Sequence, residues 1–136
     1  MKIEFNESNE GASMPHQVDF SSGSQTTVVV SATFTIDYLL PSLSFLLEFT
    51  NILAKVVVAP YHQIFQQLLD PSSISAQNSN GINVFVVRLE DFVRDYAEPK
   101  GIVEHVEKTA LDLVESLSQF KNRTGSPAMF ALLPCS

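Results

Sequence analysis

Three runs of adjacent apolar residues divide the chain, centred on Val28–Val30, Val56–Val58 and Val84–Val87. Within each run the apolar residues follow one another instead of alternating with polar ones. A continuous β-branched run is typical of a strand that is buried on both faces, as in a parallel sheet covered by helices. The four predicted strands cover residues 26–33, 55–59, 82–89 and 129–133.

The segments between these strands carry apolar residues at helical spacing, which predicts one helix after each of the first three strands. The first is expected to be capped by Thr35 or Asp37, with Pro41 in its first turn. The second places Gln67 and its neighbouring glutamines toward solvent, and a polar loop is predicted over 72–81. The three predicted helices cover residues 37–51, 60–70 and 100–121.

Strands that alternate with helices predict right-handed crossovers and a parallel sheet. The fold class is therefore α/β, a three-layer doubly wound sheet of about four strands in the order 2-1-3-4. Residues 1–25 are too polar to order themselves and are expected to form a disordered leader before a single domain at 26–136. Because four strands are few, we expect a truncated fold: a fragment of a larger one, or one without its fifth strand.

Composition narrows the classes of function. With 136 residues, of which 45% are hydrophobic, the chain is long enough for one domain with its own core. A net charge of −7 with 8 Lys and Arg argues against nucleic acid as a partner and disfavours anionic lipid. Charges and prolines interrupt the apolar stretches before they reach the length of a membrane span. The N-terminus lacks a signal sequence and Cys135 is the single cysteine, so we expect a cytoplasmic protein.

The carboxyl ends of the strands are where a doubly wound sheet binds ligands, and they carry the candidate chemistry. Thr33 and Thr35 follow the first strand, His62 follows the second, and Asp91 follows the third. A hydroxyl after the first strand is where the nucleophilic serine lies in hydrolases of the SGNH type. His62 would be its base, oriented by Asp91 or by Glu90.

The same residues have a structural interpretation that remains open. The hydroxyls would satisfy strand ends and cap a helix, and His62 would be a partly exposed residue in a first helical turn. Arg88 interrupts an apolar strand near its end and needs a partner, for which Glu90 or Asp91 is the nearest candidate. Cys135 and Ser136 end the chain after the fourth strand. Neither a glycine-rich phosphate loop nor metal-ligand spacing occurs, so we predict no cofactor and no metal.

Five stretches of the sequence, in this order and at this spacing, resemble one family. They are VVVSATFT, LPSLSFLLEF, VVVAPYHQIFQQLLDP, NGINVFVVRLEDF and SPAMFALLPCS. The family is the N-terminal domain of FkbH-like proteins and, more closely, its relatives within nonribosomal peptide and polyketide synthetases. The resemblance covers residues 25–136 and is most specific at 59–71.

The resemblance implies a flavodoxin-like or SGNH-hydrolase-like domain. FkbH-like proteins join it to a phosphatase-like domain that handles a glyceryl unit on a carrier protein, and synthetases place it beside adenylation or carrier domains. This chain departs from the hydrolase pattern, because the Gly-Asp-Ser turn and the late Asp-x-x-His pair are both missing. It reads Pro-Tyr-His-Gln at His62, where the family more often has Asn before Gln, and it lacks the DxDxT motif of the phosphatase-like domain.

Two hypotheses follow. The first is a noncatalytic accessory domain of secondary-metabolite assembly that binds a carrier protein or a synthetase domain. The second is an esterase-like or acyl-transferring enzyme that uses a hydroxyl after the first strand together with His62. A weaker third hypothesis is the binding of a small anion without turnover. The sequence does not indicate whether the protein is a monomer or an oligomer.

Overall fold

The computed structural model of the protein describes residues 25–94, 96 and 100–133. Within these ranges a single sheet contains four parallel strands in the order β2-β1-β3-β4, which confirms the predicted fold class and strand order. The strands are β1 (Thr26–Ala32), β2 (Ala54–Val58), β3 (Ile82–Arg88) and β4 (Ala128–Leu133). The predicted leader, apart from Gln25, lies outside the described residues, as do Cys135 and Ser136.

β1 is an inner strand of the sheet, because it pairs with β2 on one side and β3 on the other. Val28 is opposite Val56 of β2 and Ile82 of β3. Its valine run therefore makes backbone hydrogen bonds along both edges while its side chains enter both faces. This is the double burial that the continuous apolar run predicted.

Four α-helices connect the strands and cover the two faces unequally. They are α1 (Leu40–Phe49), α2 (Ile64–Leu69), α3 (Ile74–Gln77) and α4 (Ile102–Thr124). α1 packs through Leu40 and Leu43 on the face that carries Val30, which we call the α1 face. The other three described helices lie on the opposite face, which we call the α4 face.

The α4 face has the better-packed core. Phe85 of β3 and Phe120 of α4 are fully buried and meet edge to face, with ring centroids 5.4 Å apart. Ile64, Leu68, Val87 and Leu113 complete this cluster. Aromatic rings in this geometry contribute roughly 0.5–1.5 kcal/mol beyond the area they bury. The α4 face is thus the main source of hydrophobic stabilisation among the described residues.

The start of the first helix differs from the sequence-based prediction. Asp37–Leu39 form a 3₁₀ turn and α1 begins at Leu40, with Pro41 in its first turn as predicted. In this described segment neither Thr35 nor Asp37 makes a side-chain capping bond, so the predicted cap is wrong. The 3₁₀ turn moves the helix start several residues away from both side chains.

The predicted polar loop at 72–81 contains a short helix, α3, and Gln67 is buried instead of facing solvent. Ser73 caps α3 by accepting a hydrogen bond from the N–H of Ala76 at 3.1 Å. The amide oxygen of Gln67 accepts from the N–H of Ser75 at 3.2 Å. α3 therefore covers what would otherwise be the polar side of α2. The sequence of α3 is itself polar, which is why the segment was predicted to be a loop.

The structure confirms the long helix predicted before β4. α4 ends at Thr124, and Gly125 adopts a left-handed conformation with φ 64°, which glycine allows at a helix exit without steric cost. His105, which the helical pattern places toward solvent, is instead half-buried. Its ring stacks on Tyr96 at 4.6 Å and its Nε2 lies 3.2 Å from the main-chain oxygen of Phe92.

Candidate functional site

Asp91 is the centre of a charged cluster at the carboxyl ends of β1 and β3. Arg88 contacts both carboxylate oxygens, with its Nη2 donating to Oδ1 at 2.6 Å and its Nε to Oδ2 at 3.1 Å. Arg94 donates to Oδ1 as well. Glu90 adds a second acidic contact to Arg88 at 3.1 Å. The predicted partnership of Arg88 with Glu90 or Asp91 is therefore confirmed for both residues.

Thr33 joins this cluster from the end of β1. Its hydroxyl donates to Asp91 Oδ2 at 2.8 Å and accepts the main-chain N–H of Arg88 at 3.0 Å. Thr33 is 1% exposed. Both hydrogen bonds tie the end of β1 to the turn after β3, and they leave the hydroxyl without access to a substrate in solvent.

The electrostatic balance favours a charged Asp91. Burial alone would raise the pKa of this carboxyl and is the largest single influence on it. The hydrogen bonds from Arg88 and Thr33, with the charges of Arg88 and Arg94, together outweigh burial and lower the pKa below its usual range. The pKa of Arg88 is raised, chiefly by its hydrogen bond to Asp91. Asp91 is therefore a carboxylate held between two cations, unsuited to accepting a proton near neutral pH.

His62 lies at the same edge but not in a catalytic relay. Its Nδ1 is 3.3 Å from the main-chain oxygen of Thr33, a distance that suits donation from a protonated Nδ1. The structure gives Asp91 contacts with Thr33, Arg88 and Arg94, and none with this ring within the described residues. His62 also has a φ of 58°. A non-glycine residue in this left-handed region carries strain of roughly 1 kcal/mol.

Thr35 is separated from the Asp91 cluster. It is exposed and lines a cavity of about 200 Å³ with Asp37, Tyr61 and the small residues Ala32 and Ala59. The cavity lies between the carboxyl ends of β1 and β2 and the start of the first helix. It is the place at this edge where a small molecule could contact a free threonine hydroxyl.

The structure thus brings all four predicted site residues to the carboxyl edge, but in a different arrangement, with Thr35 apart from the other three. Thr33 and Asp91 are directly bonded, and His62 reaches only the backbone of Thr33. A nucleophile needs a base on its hydroxyl and a third group that orients the base. Here the carboxylate holds the hydroxyl, so the described cluster forms a structural clamp. Within the described ranges, no group of His, Cys, Asp and Glu side chains could hold a metal ion.

Sequence reasoning missed Arg94, which completes the cluster. Arg88, Asp91 and Arg94 follow one another at three-residue spacing. On a helical turn this spacing places side chains on the same side, so it could have been recognised. The sequence at 90–96 is predicted as a short connection that could form one helical turn, and Leu89–Phe92 do form a 3₁₀ turn, but the prediction did not include Arg94 as a partner of Asp91.

A second candidate site is the solvent side of α1. None of the ten described residues of this helix is buried. Phe45 and Phe49 stack on each other in solvent with ring centroids 6.0 Å apart, and Phe49 is 74% exposed. We call this area the α1 surface. Its exposed apolar residues are Leu39, Phe45, Leu46, Phe49, Ile52 and Leu53.

The α1 surface is almost uncharged. Glu48 is the one charged residue in the sequence of α1, in a chain whose net charge is −7. Soluble proteins rarely expose a contiguous apolar area of this kind unless another molecule covers it. Among the described residues no helix is both long and apolar enough to cross a membrane.

Comparison with known proteins adds no relative to these observations: no family model matches the chain, and no curated protein is significantly similar to it. The fold and the site therefore identify only a structural class, the doubly wound α/β domain. Two features of its described residues bear on function: the Asp91 cluster at the carboxyl edge of the sheet, and the α1 surface.

Proposed function

We propose that this chain is a noncatalytic accessory domain of secondary-metabolite assembly, which binds a carrier protein or an adjoining synthetase domain through its α1 surface. The α1 surface is the observation that carries the proposal. Protein-binding sites are enriched in aromatic and large aliphatic side chains and poor in charge at their centre. Phe45, Phe49 and Leu46 have this character and are exposed.

The Asp91 cluster supports the noncatalytic part of the proposal. Thr33 is the predicted nucleophile that lies nearest to His62 and Asp91, but it is buried, its O–H donates to Asp91, and its oxygen accepts the main-chain N–H of Arg88. Activation by His62 would require breaking the buried hydrogen bond from this hydroxyl to the charged carboxylate of Asp91. A hydrogen bond to a charged group contributes roughly 1.5–3 kcal/mol. A noncatalytic scaffold needs these hydrogen bonds only to fix the end of β1, which leads into α1, and never has to break them.

The assignment to secondary-metabolite assembly rests on the resemblance of the five sequence stretches. Two of them, LPSLSFLLEF and VVVSATFT, form α1 and the strand on which it packs. The stretches that carry the resemblance therefore include the proposed binding surface. The proposed partner, a carrier or adenylation domain, would therefore contact residues within the stretches that carry the resemblance.

The test is a calorimetric titration of the full chain against acyl carrier proteins, peptidyl carrier proteins and adenylation domains. We expect at least one to bind, and we expect Phe49→Ser and Leu46→Ser each to weaken binding at least tenfold. Substitution of a central interface residue commonly has an effect of that size. Leu111→Ser is the matched control, since Leu111 is 71% exposed but lies on α4. Failure of every candidate to bind would reject the proposal, as would an equal loss with Leu111→Ser.

A second function, ester hydrolysis or acyl transfer, has one observation in its favour. His62 is strained and follows Tyr61, which lines the cavity containing the free hydroxyl of Thr35. Strained residues concentrate at functional sites. Incubation with p-nitrophenyl esters and acyl thioesters tests this function. A rate that Thr33→Ala, Thr35→Ala and His62→Ala leave unchanged would remove it.

A further inference from the structure

The two outer strands of the described sheet differ in a way that points to a second interface. β2 carries an exposed Lys55, and a charge on an edge strand opposes pairing with another chain. β4 reads AMFALL and has no charge to protect it. Met129 is 60% exposed and Leu132 is 53% exposed. These two side chains point to opposite faces, so the residues that the structure describes leave β4 exposed on both sides and pair with only one of its edges.

Exposed apolar residues also lie on the flank of α4 that faces away from α2. Leu113 and Phe120 of this helix face the sheet, while Ser116 and Gln119 line the groove against α2. Helical spacing places Val103 and Val114 on the flank away from α2, which is the flank next to β4. Both valines are exposed. We call β4 and this flank the β4 edge.

We propose that the β4 edge binds a second copy of this chain, by antiparallel pairing of the two β4 strands about a twofold axis at Phe130. The dimer would contain one continuous sheet of twice the described width. The two α4 flanks would meet on one side of that sheet. A twofold contact of this kind uses the same surface on both subunits and therefore closes without forming a filament.

The order of side chains in β4 fits this axis. Antiparallel pairing centred at Phe130 places Ala128 opposite Leu132 and Met129 opposite Ala131 of the other copy. Each large side chain then faces a small one, and the two Phe130 rings form a cross-strand aromatic pair, a favourable combination in sheets. A register with its axis at Ala131 would instead place Met129 opposite Leu133 and Phe130 opposite Leu132, so that large residues face large ones.

Charge favours the same surface. Two copies of a chain with a net charge of −7 repel each other, and the repulsion is smallest where the facing surfaces are uncharged. The sequence of β4 meets that condition. Stable interfaces bury on the order of 800 Å² per partner, so the strand needs the adjoining α4 flank to reach that size. A second copy brings both elements in a single contact.

Sedimentation equilibrium of the full chain, from micromolar to millimolar concentration, tests the dimer. We expect a reversible dimer that Met129→Lys and Leu132→Lys each convert to monomer, with unchanged circular dichroism. Val58→Lys is the matched control, because Val58 is an exposed apolar residue on the opposite edge strand, β2. It should leave the dimer intact. A monomer at every concentration overturns the proposal, and so does a dimer that both β4 variants leave unchanged.

Disulfide trapping tests the axis independently of the lysine variants. In a Cys135→Ser background, Phe130→Cys should cross-link the two copies under mild oxidation. Directly opposed residues have Cα atoms about 4.5–5.5 Å apart, within the range for a disulfide. The two Leu132 positions would lie roughly 14 Å apart, so Leu132→Cys should not cross-link. Equal cross-linking of both variants, or none by Phe130→Cys, overturns the proposed register.

Discussion

The two faces of the sheet differ in how they use apolar side chains. On the α4 face, a helix with many charged residues buries Leu113 and Phe120 completely or nearly so. On the α1 face, the far more apolar helix α1 buries none of its described residues fully. The core of the domain therefore explains Leu113 and Phe120 of α4, but it leaves Phe45, Leu46 and Phe49 of α1 exposed. An additional molecule on the α1 surface would explain them.

The largest effect should come from truncating one aromatic residue on each face. Phe120→Ala removes a buried ring that packs on Phe85, and we expect the free energy of unfolding to fall by about 3–5 kcal/mol. Phe49→Ala removes an exposed ring and should change it by less than about 0.5 kcal/mol. Urea denaturation measures both. Similar losses for the two variants would contradict the proposed difference between the faces.

Asp91→Asn should have the next largest effect, because Asp91 closes the carboxyl end of the α4 face. Leu89 and Phe92, in the same turn, pack against the α4-face core. The substitution removes the charge that holds Arg88 and Arg94, and we expect a loss of about 2 kcal/mol in urea denaturation. Glu90→Gln is the control. Glu90 pairs with Arg88 at a more exposed position, and its loss should stay below about 1 kcal/mol.

The pH dependence of that loss gives a separate check. The pKa of Asp91 in the folded chain is lowered from the ordinary value of 3.8. A lowered folded pKa stabilises the fold at all pH values above 3.8, and the stabilisation disappears as pH falls through the folded value. The difference in unfolding free energy between the wild type and Asp91→Asn should therefore be constant down to pH 3.8 and narrow below it. A gap that widens on acidification would show that Asp91 is not stabilised as a carboxylate.

The sheet was predictable from the sequence because its signal is local. The valine run of β1 reports burial on both faces, and the alternation of strand and helix limits the topology to few choices. The same kind of run in β2 marks a strand correctly but overstates its burial, because β2 lies at the edge of the described sheet and none of its residues is fully buried. The carboxyl-edge site was predictable only in its location. That Thr33 donates to Asp91, and that His62 meets a main-chain oxygen, depends on side-chain directions fixed by two turns.

The errors have physical reasons of the same kind. Gln67 reads as a solvent-facing residue, because nothing in its own helix indicates that α3 will cover it. The exposure of the Phe49 side chain could not be predicted from the sequence either. Apolar spacing identifies the residues that favour burial but not whether the described domain supplies a surface to bury them.

The smallest expected effect concerns His62, where the chain enters α2 on the α4 face. His62→Gly and His62→Ala both remove the ring, but glycine adopts the observed φ of 58° without a steric penalty. We therefore expect the glycine variant to be more stable than the alanine variant by about 1 kcal/mol in urea denaturation. The same pair of substitutions at Ser44, inside α1, should give the opposite sign, because glycine is the poorer helix former by about 1 kcal/mol. If alanine is the more stable at both positions, the backbone at His62 is not held in the left-handed region.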